Sequence, residues 1–275
     1  MLSYLSLSCR GLRSPAEPMR RMKVFPCAVL MSAWLGAAVA DEGPSVTPYR
    51  PSVSTPAALS APGWLEVELG ALRARAEDPP RRDSLPYTLK LAFTPDWGVR
   101  VGGDAWAHQV NADGGDITGG GDTVMVLKHR LALDDARAFG LELSAKVPTA
   151  RAGIGSGHPD YGINGIYSAD LASAWHTDVN LTATKLGGTV AGISAWQAGW
   201  AAELSRGLGG PWGVTGEVSG TSQRGAGRTS QLLVAGSYAA SRRVALDFGA
   251  TKGLSAASDT WSIFAGITFL TARLF

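Results

Sequence analysis

Phe139-Gly140-Leu141-Glu142-Leu143-Ser144-Ala145-Lys146-Val147-Pro148 alternates apolar and polar residues without a break. Successive side chains of a strand point to opposite faces. Phe139, Leu141, Leu143, Ala145 and Val147 therefore ask for hydrocarbon, and Gly140, Glu142, Ser144, Lys146 and Pro148 for water. The same alternation recurs along the chain and predicts strands near Trp64–Arg75, Leu85–Thr94, Trp97–His108, Asp122–Leu131, Tyr161–Leu171 and His176–Lys185. It continues at Ser194–Arg206, Trp212–Thr221, Ser230–Ala239, Val244–Lys252 and Trp261–Phe275. With the opening stretch these make about twelve, an even number, as an antiparallel barrel with both termini on one side requires. The predicted fold is all-β: a transmembrane, antiparallel, up-and-down β-barrel.

The connections support this reading. Those at Ala76–Ser84, Gln109–Gly121, Thr149–Asp160 and Ser222–Thr229 are long and rich in turn residues. They alternate with tight ones at Pro95-Asp96, Ala132–Ala136, Ala172–Trp175, Gly207–Pro211 and Ala240–Arg243. Short periplasmic turns and longer outer loops are the asymmetry of outer-membrane barrels, whereas a soluble sandwich has no reason to alternate so regularly. Trp64, Tyr87, Trp97, Trp175, Trp212, Tyr238 and Trp261 fall near predicted strand ends, where an interfacial belt places them. The glycines at 119–121 and 153–157 are followed by no Lys-Ser/Thr and helix, so they are no phosphate cradle and are expected as flexible outer loops.

Residues 1–40 read as a leader and signal peptide. Arg20, Arg21 and Lys23 precede an apolar run from Val24 to Val39, and Ala38-Val39-Ala40 is a small-x-small cleavage pattern ending at Ala40. Met19 or Met22 begins a better signal than Met1, and Phe25-Pro26-Cys27 lacks the small residues that precede a lipidated cysteine. The leader holds both cysteines, Cys9 and Cys27. The mature chain thus has no disulfide and no thiolate chemistry. The leader also holds five cations (Arg10, Arg13, Arg20, Arg21, Lys23) and one acid (Glu17), so removing it takes the net charge from +2 to −2. Nothing in that balance suggests nucleic acid. Residues 41–63, with Pro44, Pro48, Pro51, Pro56 and Pro62, form a proline-rich arm ahead of the barrel at 64–275. The arm is expected as a periplasmic tether, with insertion into the lumen as the alternative.

By strand parity the candidate lumen residues are Lys90, Arg100, Asp104, Lys128, Arg130, Glu142 and Lys146 on one side, and Asp170, Asp178, Glu203, Glu217, Asp247, Glu66 and Glu68 on the other. A largely basic wall would face an acidic one. The two walls either set up a transverse field that orients passing solutes, or pair across the lumen and shut it. A twelve-stranded barrel lies between filled eight-stranded barrels and wide porins, so any path is modest. Four histidines, His108, His129, His158 and His176, are scattered without metal spacing, and no nucleophile motif is present. No metal, cofactor or catalytic residue is expected. A barrel enzyme acting on lipids and a structural barrel with a closed lumen are the alternatives to a channel.

Tyr49-Arg50-Pro51-Ser52 ahead of Glu66 to Gly70, and Lys146-Val147-Pro148-Thr149 running into Gly153-Ile154-Gly155-Ser156-Gly157 and Asp160, resemble an outer-membrane transporter-like family associated with a meta-pathway of phenol degradation. The resemblance spans roughly the whole mature chain. It implies a barrel in the outer membrane for passive uptake of small solutes, aromatic or otherwise poorly soluble ones included, and no catalytic residues. The expected partners are outer-membrane lipid, a small-molecule solute, and the barrel-assembly machinery through the last strand ending at Phe275.

Overall fold

The structure, a computed structural model, describes residues 43–275 apart from 78, 173 and 189. The leader and its cleavage site lie outside the described residues. The strands are β1 (Trp64–Arg75), β2 (Arg81–Ala92), β3 (Trp97–Val110), β4 (Asp116–Gly119), β5 (Thr123–Ala132), β6 (Arg137–Val147) and β7 (Asp160–Asp170). Next come β8 (Trp175–Lys185), β9 (Trp196–Gly209), β10 (Trp212–Gln223), β11 (Thr229–Ser241), β12 (Val244–Gly253) and β13 (Trp261–Arg273). All neighbours are antiparallel, and β1 pairs with β13 on one side and β2 on the other, so the sheet closes on itself. Twelve strands form the wall. β4 is an extra: it folds back from β3 and pairs with its outer half, Ala107–Val110.

Most boundaries shift by one to three residues from the sequence expectation, as β9 does in ending at Gly209 and β13 in ending at Arg273, and two differences are larger. β2 begins at Arg81 rather than Leu85, because Asp83 pairs with Arg73 in the β1 ladder and extends it past Pro86. Tyr87 therefore lies inside a strand and not at its end. The segment expected as an open loop at 109–121 contains β4, and the glycines that follow it pack closely: Gly121 donates its backbone N–H to Asp104. The 148–159 loop is also folded inward, with Ile154 only 4% exposed and the Ala150 N–H bonded to the Asp122 carboxylate at 3.1 Å. These glycine runs allow tight backbone approaches, and slack is not what they supply. The other turns follow expectation, with brief links at 93–96, 133–136, 171–174, 210–211 and 242–243.

Burial is inverted relative to a soluble protein. Leu69, Leu89, Met125, Leu127, Leu141, Leu143, Ile163, Leu181, Val234, Phe248 and Ile263 stand exposed on the outer face. Glu66, Glu68, Lys90, Lys128, Glu142, Glu217 and Thr268 are buried inside it. The buried apolar cluster is small: Ala57, Ala138 and Ile166. Such an outside is stable only in hydrocarbon, and the closed ladder satisfies the backbone N–H and C=O groups that hydrocarbon cannot. Trp64, Trp97, Trp175 and Trp212 open their strands at the short-turn end, and Trp196 and Trp261 open theirs at the other. Trp97 stacks on His129 at 4.2 Å, and Trp212 meets Tyr238 at 4.8 Å. Replacing Leu143, outward near the middle of β6, by Arg is expected to destabilise the barrel by about 2–4 kcal/mol in denaturant titrations in lipid vesicles. The same change at Leu133, in a turn, should cost about 0–1 kcal/mol.

Candidate functional site

The lumen is occupied by the chain's own arm. Residues 43–63 enter at the short-turn end, where the Val46 N–H bonds the Arg242 carbonyl, reach the middle of the barrel, and return to Gly63, whose N–H bonds Ala92. The tether expectation gives way to the alternative, and the reason lies in the backbone. Five prolines prevent the arm from joining a β ladder, so its remaining N–H groups need other acceptors once buried. The inward side chains of the wall supply them. Thr47 donates its N–H to Glu66 at 2.9 Å and Tyr49 to Glu68 at 2.7 Å. Val53 and Ser54 both donate to one oxygen of Glu217 at 2.9 Å. Thr55 donates to Asn180 at 3.0 Å, and Ala57 to the Ser168 hydroxyl at 2.7 Å.

Side chains of the arm complete the contact. Ser54 Oγ donates to Glu203 and Glu217, which face each other across β9 and β10. Arg50 forms a forked pair with Asp247 at 3.0 and 3.1 Å. Its guanidinium lies against Gly70 and Gly266, which are paired across β1 and β13, and a side chain at either position would collide with it. On the opposite wall, Tyr49 is buried between cations: the Lys90 and Lys128 ammonium groups are 4.0 and 4.2 Å from its ring centroid, and the Arg100 guanidinium 5.6 Å. Lys128 also donates to the Tyr49 hydroxyl at 3.0 Å and to the Pro56 carbonyl, and the hydroxyl donates to Ala58. Burial, then the nearby Glu142 carboxylate, push the Tyr49 phenol well above its ordinary range, so it stays a neutral donor.

The candidate charges separate into those around the arm and those elsewhere. Glu66, Glu68, Lys90, Arg100, Lys128, Glu142, Glu203, Glu217 and Asp247 surround it, and Asp178 reaches it through Ser168. Lys90 bridges Glu66 and Glu68 at 2.5 and 2.6 Å, while Lys128 and Arg100 both reach Glu142, at 3.4 and 3.3 Å. These pairs run between near neighbours on the wall, not across the lumen. Asp104 instead pairs with Arg82 at 2.8 Å, Lys146 with Asp160 and Asp122 at 2.7 and 3.3 Å, and Arg130 lies 3.9 Å from Asp96 in a turn. Asp170 holds His176 at 2.6 Å near the short-turn mouth.

Sequence parity had no means of finding Tyr49, Arg50, Ser54 and Thr55, which belong to no strand. The inward parity of Asn164 and Asn180 was visible, but their function, cradling Thr55, depends on the arm. At the short-turn mouth the two limbs of the arm leave a recess of about 420 Å³ lined in part by Thr47, Leu59, Pro62, Arg130 and Arg242. The void beside Tyr49 holds only about 10 Å³.

No family model matches the chain. No curated protein matches it. Solved structures do. An outer membrane channel from Pseudomonas putida F1 is 12% identical, with a TM-score of 0.61 over 82% of this chain and 100% of that one. The KdgM porin is 7% identical, with a TM-score of 0.53 over 74% of this chain and 99% of that one. The NanC porin is 10% identical, with a TM-score of 0.53 over 74% and 98%. The fold is that of outer-membrane channels and porins. At these identities the likeness is one of architecture, so the contacts of the arm rest on this chain alone.

Replacing Glu217 by Ala leaves the Val53 and Ser54 N–H groups without their acceptor, while the Ser54 hydroxyl keeps Glu203. Hydrogen bonds to charged groups contribute about 1.5–3 kcal/mol each. The E217A arm is expected to be cleaved at least tenfold faster by protease added from the short-turn side, with barrel migration on unheated gels unchanged. In an ultraviolet titration Tyr49 should stay un-ionised through the pH range near 10 in which exposed tyrosines ionise, and Y49F should leave that titration curve unchanged.

Proposed function

We propose that the protein is a passive channel of the outer membrane for small solutes, aromatic ones included, and that its N-terminal arm closes the lumen until displaced. The observation that carries this is the manner of occupation. The arm, joined to the barrel through Gly63 and Trp64, fills a wet, charged interior mainly through hydrogen bonds to side chains of the wall and joins no β ladder. Every contact it makes can be replaced by water or by a solute with the same donors. The porin-type architecture and the sequence resemblance support a transport function, and an apolar outer face over a polar interior supports residence in the outer membrane.

Withdrawal of the arm would leave Lys90, Arg100 and Lys128 paired with Glu66, Glu68 and Glu142 on one side, and Glu203, Glu217 and Asp247 without their arm donors on the other. The open lumen would carry an excess of acid on that second side. The place of Tyr49 between ammonium groups suits an aromatic ring, because cations are attracted to the ring face. Solutes that carry a ring and a hydroxyl would compete for that position. Assembly through the last strand is part of the proposal: Leu274 donates to Gly63, and Phe275 stands 60% exposed at the short-turn end.

Planar-bilayer conductance tests the closure. Deleting residues 43–61 is expected to raise single-channel conductance severalfold, and adding R100Q and K128Q to that deletion should shift selectivity toward cations. Conductance equal to that of the intact chain would instead favour a structural barrel with a closed lumen.

A further inference from the structure

Outward-facing cations are unevenly spread over the barrel wall. At the long-loop end the outer face carries Arg73 and Arg75 on β1, Arg81 on β2 and Lys252 on β12. They continue the apolar rows of Leu69 and Ala71, of Leu89, Tyr87 and Leu85, and of Leu246 and Phe248. The ladder sets them side by side. Arg75 is opposite Trp261, Trp261 is opposite Lys252, and Arg73 is opposite both Ile263 and Asp83. Asp83 bonds Arg73 at 2.5 Å and Arg81 at 3.1 Å. Arg75 and Lys252 are exposed and have no acid within ion-pair distance among the described residues. Elsewhere on the outward side of the described strands at this end there is one cation, Lys185, beside Tyr161 and Trp196.

Four cations against one acid on adjoining strands leave an excess of positive charge that repels itself, and charge on a lipid face is tolerated only near the interface. Directly beneath them is an apolar ladder with Leu69, Phe248 and Ile263 exposed at 44%, 53% and 51%. An anionic amphiphile with more than one phosphate satisfies both halves: its phosphates accept from the guanidinium forks, and its acyl chains lie along the ladder. A zwitterionic headgroup brings its own ammonium and does not. We propose that the outer face of β12, β13, β1 and β2 is a binding surface for the bis-phosphorylated glycolipid of the outer leaflet, with Arg73, Arg75 and Lys252 at the phosphates and Trp261 at the sugar–acyl boundary. This rests on the outer-membrane reading above, which makes the short-turn end periplasmic.

The purified full-length barrel in detergent would be incubated with bis-phosphorylated lipid A, monophosphoryl lipid A or phosphatidylethanolamine, and retained lipid measured by native mass spectrometry. Retention should fall in that order, and R75Q/K252Q should bind lipid A at least about tenfold more weakly while keeping the heat-modifiable migration of a folded barrel. Equal retention of lipid A and phosphatidylethanolamine by the wild type overturns the inference, and so does unchanged lipid A binding by a folded R75Q/K252Q. The wild-type ranking needs no variant and decides the matter if R75Q/K252Q does not fold. A detergent-extracted, heat-modifiable barrel without lipid A preference overturns this surface alone, whereas a chain that is water-soluble without detergent overturns the outer-membrane reading and this one together.

Discussion

Everything inside this barrel depends on one requirement: a proline-rich backbone buried without a sheet must find acceptors for its free N–H groups. Glu66, Glu68, Glu217, Asn180 and Ser168 provide them, each from a different part of the wall. The same contacts answer the reverse problem. Carboxylates in a confined interior lose hydration, and charge-assisted bonds to oriented backbone donors offset much of that loss. Arm and wall are therefore complementary, and neither side of the arrangement makes sense without the other.

That complementarity also changes the meaning of the charge asymmetry. Two opposed walls would either create a field across open water or pull together. Here the arm lies between them and takes a different kind of contact from each: Tyr49 sits among the cations, while the amides and hydroxyls of residues 53–55 face the acids. The cations meanwhile are neutralised locally, as Lys90 by Glu66 and Glu68 on the next strand. The acids outnumber the cations around the arm, and on the acidic side it is the arm that answers them, through Arg50 at Asp247 and the donors of residues 53 and 54 at Glu217.

The barrel was legible because period-two alternation survives any sequence context, and Phe139 to Val147 fall on the two faces in the order their hydropathy demands. Linker length carried the up-and-down topology for the same reason. β4 was not legible, since Asp116 to Gly119 reads as turn and becomes a strand only because the outer half of β3 has an unpaired edge beside it. The extension of β2 to Arg81 was hidden because Arg81 to Ser84 are all polar and follow Pro79-Pro80, so the stretch reads as linker although it continues the ladder.

Alternation along single strands already requires a closed cylinder with a greasy outside, and it sorts most of the charged side chains inward, though Asp170 at a strand end stands exposed at the mouth. Only the tertiary structure decided what those inward groups hold. Ser54 and Glu217 are 163 residues apart in the chain, and the contacts of the arm with the wall depend on barrel closure and register. Hydropathy reports the solvent that a side chain prefers; it carries no information about a distant backbone N–H that will take the place of that solvent.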